Sequence, residues 1–257
     1  MQIAIVLYPG MTALDVIGPY EVLRLVPGVQ IRFVWNEPGP ITTDSGVLIL
    51  AATHSFEETP APDIVLIGGS GPATATAAED AGLADWLRRV HKTTLWTTSV
   101  CTGSVILARA GLLAGKSATS HWAGLPALSA LGVTPRPDDR IVREGKIVTA
   151  AGVSAGIDLG LWLTAEIANR ETAEAIQLLI EYDPQPPFDS GHMSKASASV
   201  RRKVAAVVAR EAADLLAAEP RTVLREGIAI PRLLWDGALA RARSRRHLTS
   251  RKRPAQR

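Results

Sequence analysis

The residue best suited to covalent chemistry is Cys101, the single cysteine of the chain, set in the stretch TTLWTTSVCTGSVILARA from Thr93 to Ala110. Leu95, Trp96 and Val100 lie among β-branched threonines, the composition of a buried strand, while Val105, Ile106, Leu107 and Ala110 have the spacing of an inward helix face. The turn between them is only a few residues long. A cysteine on such a strand-to-helix elbow sits in a strained backbone conformation at the carboxyl edge of a sheet, with Gly103 leaving room for a close approach. The helix starting just past it aims N–H groups and a partial positive charge at the sulfur, which predicts a thiol biased toward thiolate. A lone cysteine also serves as a small buried hydrophobe; the elbow is what favours a nucleophile.

A nucleophilic thiol needs a proton carrier. Asp15 lies among apolar neighbours in ALDVIGP. An acid there either complements a helix start in water or points across the sheet edge, where burial would raise its pKa and let it hold a proton. Gly68 to Ala73 reads GGSGPA, a loop whose missing side chains let backbone N–H groups approach a ligand. It lacks the G-x-G-x-x-G spacing and the phosphate-loop lysine, so plain turn chemistry is the favoured reading and ligand approach the alternative. His121 is the one imidazole that the pattern brings near the elbow, as a catalytic ring or as a core or rim histidine. No C-x-x-C, H-x-H or H-E-x-x-H occurs, which argues against a metal. No histidine is followed two positions later by an acid, and Thr102, not a histidine, follows Cys101. A thiol partnered by a carboxylate remains, and that fits chemistry needing one nucleophile and one proton carrier better than peptide cleavage.

The elements that must position these residues read as strands alternating with helices. Ile3–Tyr8 is an apolar strand ended by Pro9-Gly10, and a helical pattern follows from Thr12 to about Leu25, with an irregular turn near its start at Gly18-Pro19. Val29–Trp35 is a strand, Ile41–Leu50 a hairpin bending at Asp44-Ser45-Gly46, and Ile64–Ile67 a buried strand. Thr74–Val90 reads as one helix with Leu83, Trp86, Leu87 and Val90 on its inner face. After the elbow helix come a short strand ending in His121, a short helix over Ala123–Leu131 and a hairpin over Ile141–Ala150. A long apolar helix then runs through Leu163 and Ile167, with a further helix over Glu171–Ile180. Asp183–Ser194, DPQPPFDSGHMS, is an extended proline-rich arm, and Val200 to Leu215 form a last amphipathic helix. This order predicts an α/β fold: a single-domain three-layer sandwich with a mostly parallel sheet, whose ligands bind outside the carboxyl ends of the strands.

With 257 residues, 47% of them hydrophobic, the chain has ample material for one such core. The formal charge of +3 misleads: Arg241–Arg257 holds eight of the 28 Lys and Arg residues and no acid, leaving 20 basic against 25 acidic residues elsewhere. We therefore divide the chain into an α/β domain over 1–219, arm and last helix included, and a basic, flexible tail over 220–257. Such a tail could touch nucleic acid weakly or simply be solvated. The N-terminus MQIAIVLYPG has no basic n-region and no apolar run reaches membrane-spanning length, so neither export nor membrane insertion is expected and the cytoplasm is the expected compartment.

LDVIGP, the GG loop after an apolar strand, TSVCTGS, ATSHW, AAGVSAGID and EYDPQPPF together resemble the ThiJ/PfpI superfamily, and within it the isonitrile hydratase branch. The resemblance runs from about Ile3 to Leu216. It implies a flavodoxin-like, class I glutaminase-like fold, Cys101 as nucleophile and Asp15 as the acid beside it. It also implies a pocket lined by Thr102, Gly69 and Ser70 with His121 close by, a small-molecule substrate, no cofactor and a homodimer. Two departures stand out: the tail lies outside the resemblance, and Ala150-Ala151-Gly152 replaces a more glycine-rich run. The activity expected on this basis is addition of water to an isonitrile through a cysteine thioimidate. The alternatives are a ligand-binding domain of the transcriptional-regulator type and a redox-sensing thiol protein.

Overall fold

A computed structural model describes residues 1–218. The predicted basic tail lies outside these residues. In chain order the elements are β1 (Gln2–Val6), α1 (Ala13–Leu23), β2 (Gln30–Trp35), β3 (Gly39–Thr42), β4 (Ile49–Ala52), β5 (His54–Ser55) and β6 (Ile64–Ile67). They continue with α2 (Ala73–Glu79), α3 (Ala81–Val90), β7 (Trp96–Ser99), α4 (Gly103–Arg109), β8 (Ser117–Ala118), α5 (Leu125–Ala130) and β9 (Thr134–Pro135). β10 (Ile141–Glu144), β11 (Ile147–Ala150), α6 (Ala155–Ile167), α7 (Arg170–Leu179) and α8 (Ala198–Ala218) complete the order.

Seven strands form the central sheet in the order β10-β11-β7-β6-β1-β2-β5, parallel throughout except for the edge pair β10/β11. The inner strands β6 and β11 are wholly buried and β1 and β7 nearly so, which requires cover on both faces. β7 displays both covers: Trp96 meets Trp162 of α6 edge-on at 5.1 Å, and the next residue, Thr97, bonds His91 at the end of α3 (2.8 Å). The predicted three-layer α/β architecture is therefore present. β3 and β4 form the predicted hairpin as a separate two-stranded sheet bent at Gly46.

From β1 the chain moves outward to β2, then returns to the other side of β1 with β6 and continues through β7 to β11. The reversal between β1 and β6 makes a crevice at the carboxyl ends of those strands. Register sets the ends level: Val6 pairs with Ile67, Ile67 with Ser99, and Ser99 with Thr149. The start of α1 with Asp15 and the loops carrying Gly68–Ser70, Cys101 and Ala151–Ser154 thus lie at one edge of the sheet.

Two expectations need correction. Thr74–Val90 is two helices, because Asp80 has extended backbone and its carboxylate accepts the Leu83 N–H (2.7 Å), capping α3. Gly18-Pro19 does not interrupt α1; the helix continues through Pro19 to Leu23. Proline has no N–H to offer the carbonyl of the residue four positions back, here Asp15, and α6 approaches there. An added Cβ on Gly156 would come within 2.9 Å of Pro19 Cδ and 3.4 Å of the Asp15 oxygen, and one on Gly160 within 3.0 Å of Val22. These glycines let α6 press α1 into place behind Asp15. Gly160→Leu should force the two helices apart at a cost of about 1–3 kcal/mol, read as a thermal midpoint lowered by several degrees.

Candidate functional site

Cys101 has φ +58°, a left-handed conformation that a non-glycine residue adopts only under constraint. The constraints are visible. Its N–H donates to Ala151 O (2.8 Å), and its carbonyl accepts from Ser120 Oγ (3.0 Å) and Ser104 Oγ (3.3 Å). Gly103, at the start of α4, lies against the carbonyls of Ile67 and Gly68 so closely that a methyl group would overlap both. The sequence-predicted elbow and its glycine are both present.

The glycine loop serves the elbow and the acid. Gly69 packs on Thr102, where any side chain would collide with the Thr102 hydroxyl and backbone nitrogen. The Gly69 N–H donates to Asp15 Oδ2 (2.7 Å), and the Gly69 carbonyl accepts from Thr12 N (2.9 Å). The Ser70 N–H donates to Thr74 Oγ1 (2.8 Å) and Thr102 Oγ1 (3.0 Å), its carbonyl accepts from the same two hydroxyls, and its own hydroxyl donates to Gly10 O (2.6 Å). These bonds accord with plain turn chemistry and not with ligand approach, since the N–H groups of Gly69 and Ser70 already have protein acceptors. Gly68 is equally tight, since a Cβ there would lie 2.8 Å from Asp15 Cβ.

Asp15 is fully buried, which decides between the two sequence readings of this acid. Oδ2 has the Gly69 N–H; Oδ1 is buried with no partner of hydrogen-bonding geometry. Burial pushes its pKa up to about 7, against the lowering effects of the Gly69 N–H and the Cys101 thiol and with a smaller upward push from the Asp44 charge. Cys101, 5% exposed, is pushed up to about 12 by burial and then by the Asp15 charge, with the Thr102 N–H and hydroxyl acting in the opposite direction. The predicted bias toward thiolate is thus reversed. α4 is only seven residues long, and what it offers the sulfur is outweighed by loss of water and by an adjacent anion. The geometry supplies a carboxyl group that exchanges its proton near neutral pH beside a thiol that keeps its own, each anion disfavouring the other.

His121 forms no part of that exchange. Its Nδ1 accepts the Ala123 N–H (3.4 Å) and its ring rests on Gly152, where an added Cβ would lie 2.9 Å from Cδ2. Burial lowers its pKa, so the ring is neutral at pH 7. The short strand predicted to end at His121 stops at Ala118, pairing with β9 rather than with the main sheet. Two participants escaped the sequence reading. Tyr8, fully buried, donates its hydroxyl to Gly68 O (3.3 Å), and Ser120 holds the Cys101 carbonyl. Tyr8 reads only as the last residue of a strand, and nothing in the spacing links Ser120 to the elbow. Among the described residues no three His, Cys, Asp or Glu come together as a metal site, and no helix is long and apolar enough to cross a membrane.

A strained cysteine on a strand-to-helix elbow, beside a buried acid at the carboxyl edge of this sheet, agrees with the comparison to known proteins: residues 1–166 match the DJ-1/PfpI family, and the chain belongs to it. It is 42% identical over 200 residues to the isonitrile hydratase of Pseudomonas putida, covering 78% of this chain and 86% of that one. The crystal structure of a ThiJ/PfpI family protein from Pseudomonas syringae superposes with a TM-score of 0.77 at 39% identity, over 81% of this chain and 86% of the other. A transcriptional regulator of Pseudomonas aeruginosa, CdhR, is more distant, at 29% identity over 62% of this chain and 48% of its own length.

A carboxyl group whose folded pKa exceeds its ordinary 3.8 favours the folded state most below that value, and the contribution is lost as pH rises through about 7. Asn at position 15 keeps an acceptor for the Gly69 N–H without the buried charge. Asp15→Asn should therefore raise the thermal midpoint by several degrees at pH 8 and by little at pH 4, as followed by circular dichroism.

Proposed function

We propose that this chain is an isonitrile hydratase, converting an isonitrile and water to an N-substituted formamide. The observation that carries the reading is the buried Cys101–Asp15 pair, a protonated thiol beside a carboxyl group that titrates near neutrality; the 42% identity to the Pseudomonas putida isonitrile hydratase supports it. An isonitrile carbon accepts a nucleophile and must gain a hydrogen at the same atom. Asp15, as carboxylate, takes the thiol proton while sulfur attacks, and delivers that proton to the carbon. The product is a thioimidate, R–N=CH–S, with Asp15 ionised again. Water then adds to the carbon; Asp15 accepts one of its protons and passes it to nitrogen. Collapse of R–NH–CH(OH)–S breaks the C–S bond, the hydroxyl proton returns through Asp15 to sulfur, and the formamide leaves.

The high resting pKa of Cys101 suits this cycle, since the thiol brings the hydrogen that carbon requires. The anion appears only during attack, with the Thr102 N–H beside it. A thiol held protonated is a slow target for peroxide, which favours catalysis over redox sensing. The roles given by resemblance are retained as part of this proposal: Thr102, Gly69 and Ser70 shape the pocket floor, and His121 lines it.

We also propose that the protein acts as a homodimer. Leu178 and Leu179 on α7, Phe188 on the arm, and Val204, Val207 and Val208 on α8 are exposed apolar side chains on consecutive elements, the composition of a surface awaiting cover. Sedimentation should give twice the 27.3 kDa chain mass.

Formamide production from an alkyl isonitrile tests the activity. Cys101→Ala should abolish turnover, and Asp15→Asn should lower it by at least ~10²; full activity in either variant would reject the mechanism. For the wild type, kcat/KM should fall as pH drops below about 7, where the pair becomes doubly protonated.

A further inference from the structure

Five segments meet around Cys101 at the carboxyl edge: 7–14, 68–73, 100–103, 119–124 and 151–155. None contains an Asp, Glu, Lys or Arg. Acids adjoin them: Asp15 itself, and Asp44, whose carboxylate accepts the Thr12 hydroxyl (2.6 Å). Arg140 reaches this edge at the Ser154 hydroxyl (3.4 Å), but its guanidinium is already paired with the Asp158 carboxylate, so it offers an anionic group little.

One segment is fastened to the elbow at several points. Ser120 bonds the Cys101 carbonyl, and an added Cβ on Gly124 would lie 2.9 Å from the Thr102 methyl. The His121 ring covers Gly152, next to the Ala151 carbonyl that accepts the Cys101 N–H. Trp122 follows, 38% exposed, with its ring 4.9 Å from that of His121 at an interplanar angle of 43°. An isonitrile is linear and reacts at its terminal carbon, so the N-substituent must project from the sulfur outward to the rim. We infer that Trp122, backed by His121, is a specificity-determining residue that receives this substituent on an aromatic wall, selecting neutral isonitriles with apolar substituents over those bearing a carboxylate. The inference rests on the hydratase reading for its substrate class but not for the wall. A carboxylate would leave water for an edge whose neighbouring cation, Arg140, is already paired with Asp158, and beside a buried acid, whereas an aryl group withdraws only apolar surface from water.

The test compares benzyl isonitrile, methyl isonitrile and isocyanoacetate in wild type, Trp122→Phe and Trp122→Ala. Wild type should prefer benzyl over the other two, with isocyanoacetate poorest. Trp122→Ala should lose about tenfold in kcat/KM for the benzyl compound through KM, a size expected for lost apolar contact, and far less for the methyl compound, whose substituent has little surface to place on the ring. Trp122→Phe should retain most of the preference. An equal loss on all three substrates, or isocyanoacetate turned over as well as benzyl isonitrile, overturns the proposal. If wild type turns over no isonitrile, the hydratase reading fails, and the wall is judged by Cys101 alkylation. N-benzyl-iodoacetamide reacting faster than iodoacetamide and iodoacetate only while Trp122 is present supports the wall; equal rates overturn it.

Discussion

Asp15 has one hydrogen-bonded partner of good geometry, the Gly69 N–H at 2.7 Å, in a place with no access to water. An acid in that position is stable only if it holds a proton or if the surrounding dipoles compensate its charge. Here compensation is partial, which is why the group titrates near neutrality rather than far to either side. The rest of the site can be understood as what keeps this state of incomplete compensation in place. α6 closes over α1 through glycines, Gly68 admits the Asp15 Cβ, and Thr12 N anchors the Gly69 carbonyl.

The elbow meets the same loop from the other side. Thr102 contributes one hydroxyl that joins Ser70 and Thr74, so the β6 loop and the start of α4 are held as one unit. Cys101 is thereby kept in a left-handed conformation, whose cost is on the order of 1–3 kcal/mol, by neighbours that each have their own reason to be where they are. Replacing any of the tightly packed glycines at 68, 69 or 103 would move the acid and the thiol relative to one another before it altered either group chemically.

The reversed titration of Cys101 changes how the chemistry must be described. A thiol that is already ionised would need a separate acid to protonate carbon, whereas a neutral thiol beside a carboxylate near its own pKa contains both reactants in one proton. Burial, usually regarded as a penalty for a nucleophile, then sets up the balance.

Much of this was present in the order of residues. The strand composition of Leu95 to Val100, the helical spacing of Val105 to Ala110 and the glycine at 103 marked the elbow, because local sterics and apolar periodicity act over a few residues. The sheet class followed from alternation along the chain. Asp80 as a cap and Pro19 inside α1 were misjudged for the opposite reason: a single side-chain bond and a neighbouring helix decide such boundaries, and neither lies in the local pattern. The titration of Cys101 and Asp15, the roles of Tyr8 and Ser120, and the occupation of the loop N–H groups were likewise invisible. They depend on residues tens of positions apart arriving at one sheet edge, where water is excluded and each charge is felt by the others. The sequence by itself determined which groups could react and the layers that would carry them; only the tertiary structure decided where their protons reside, because burial and proximity are properties of the packed chain.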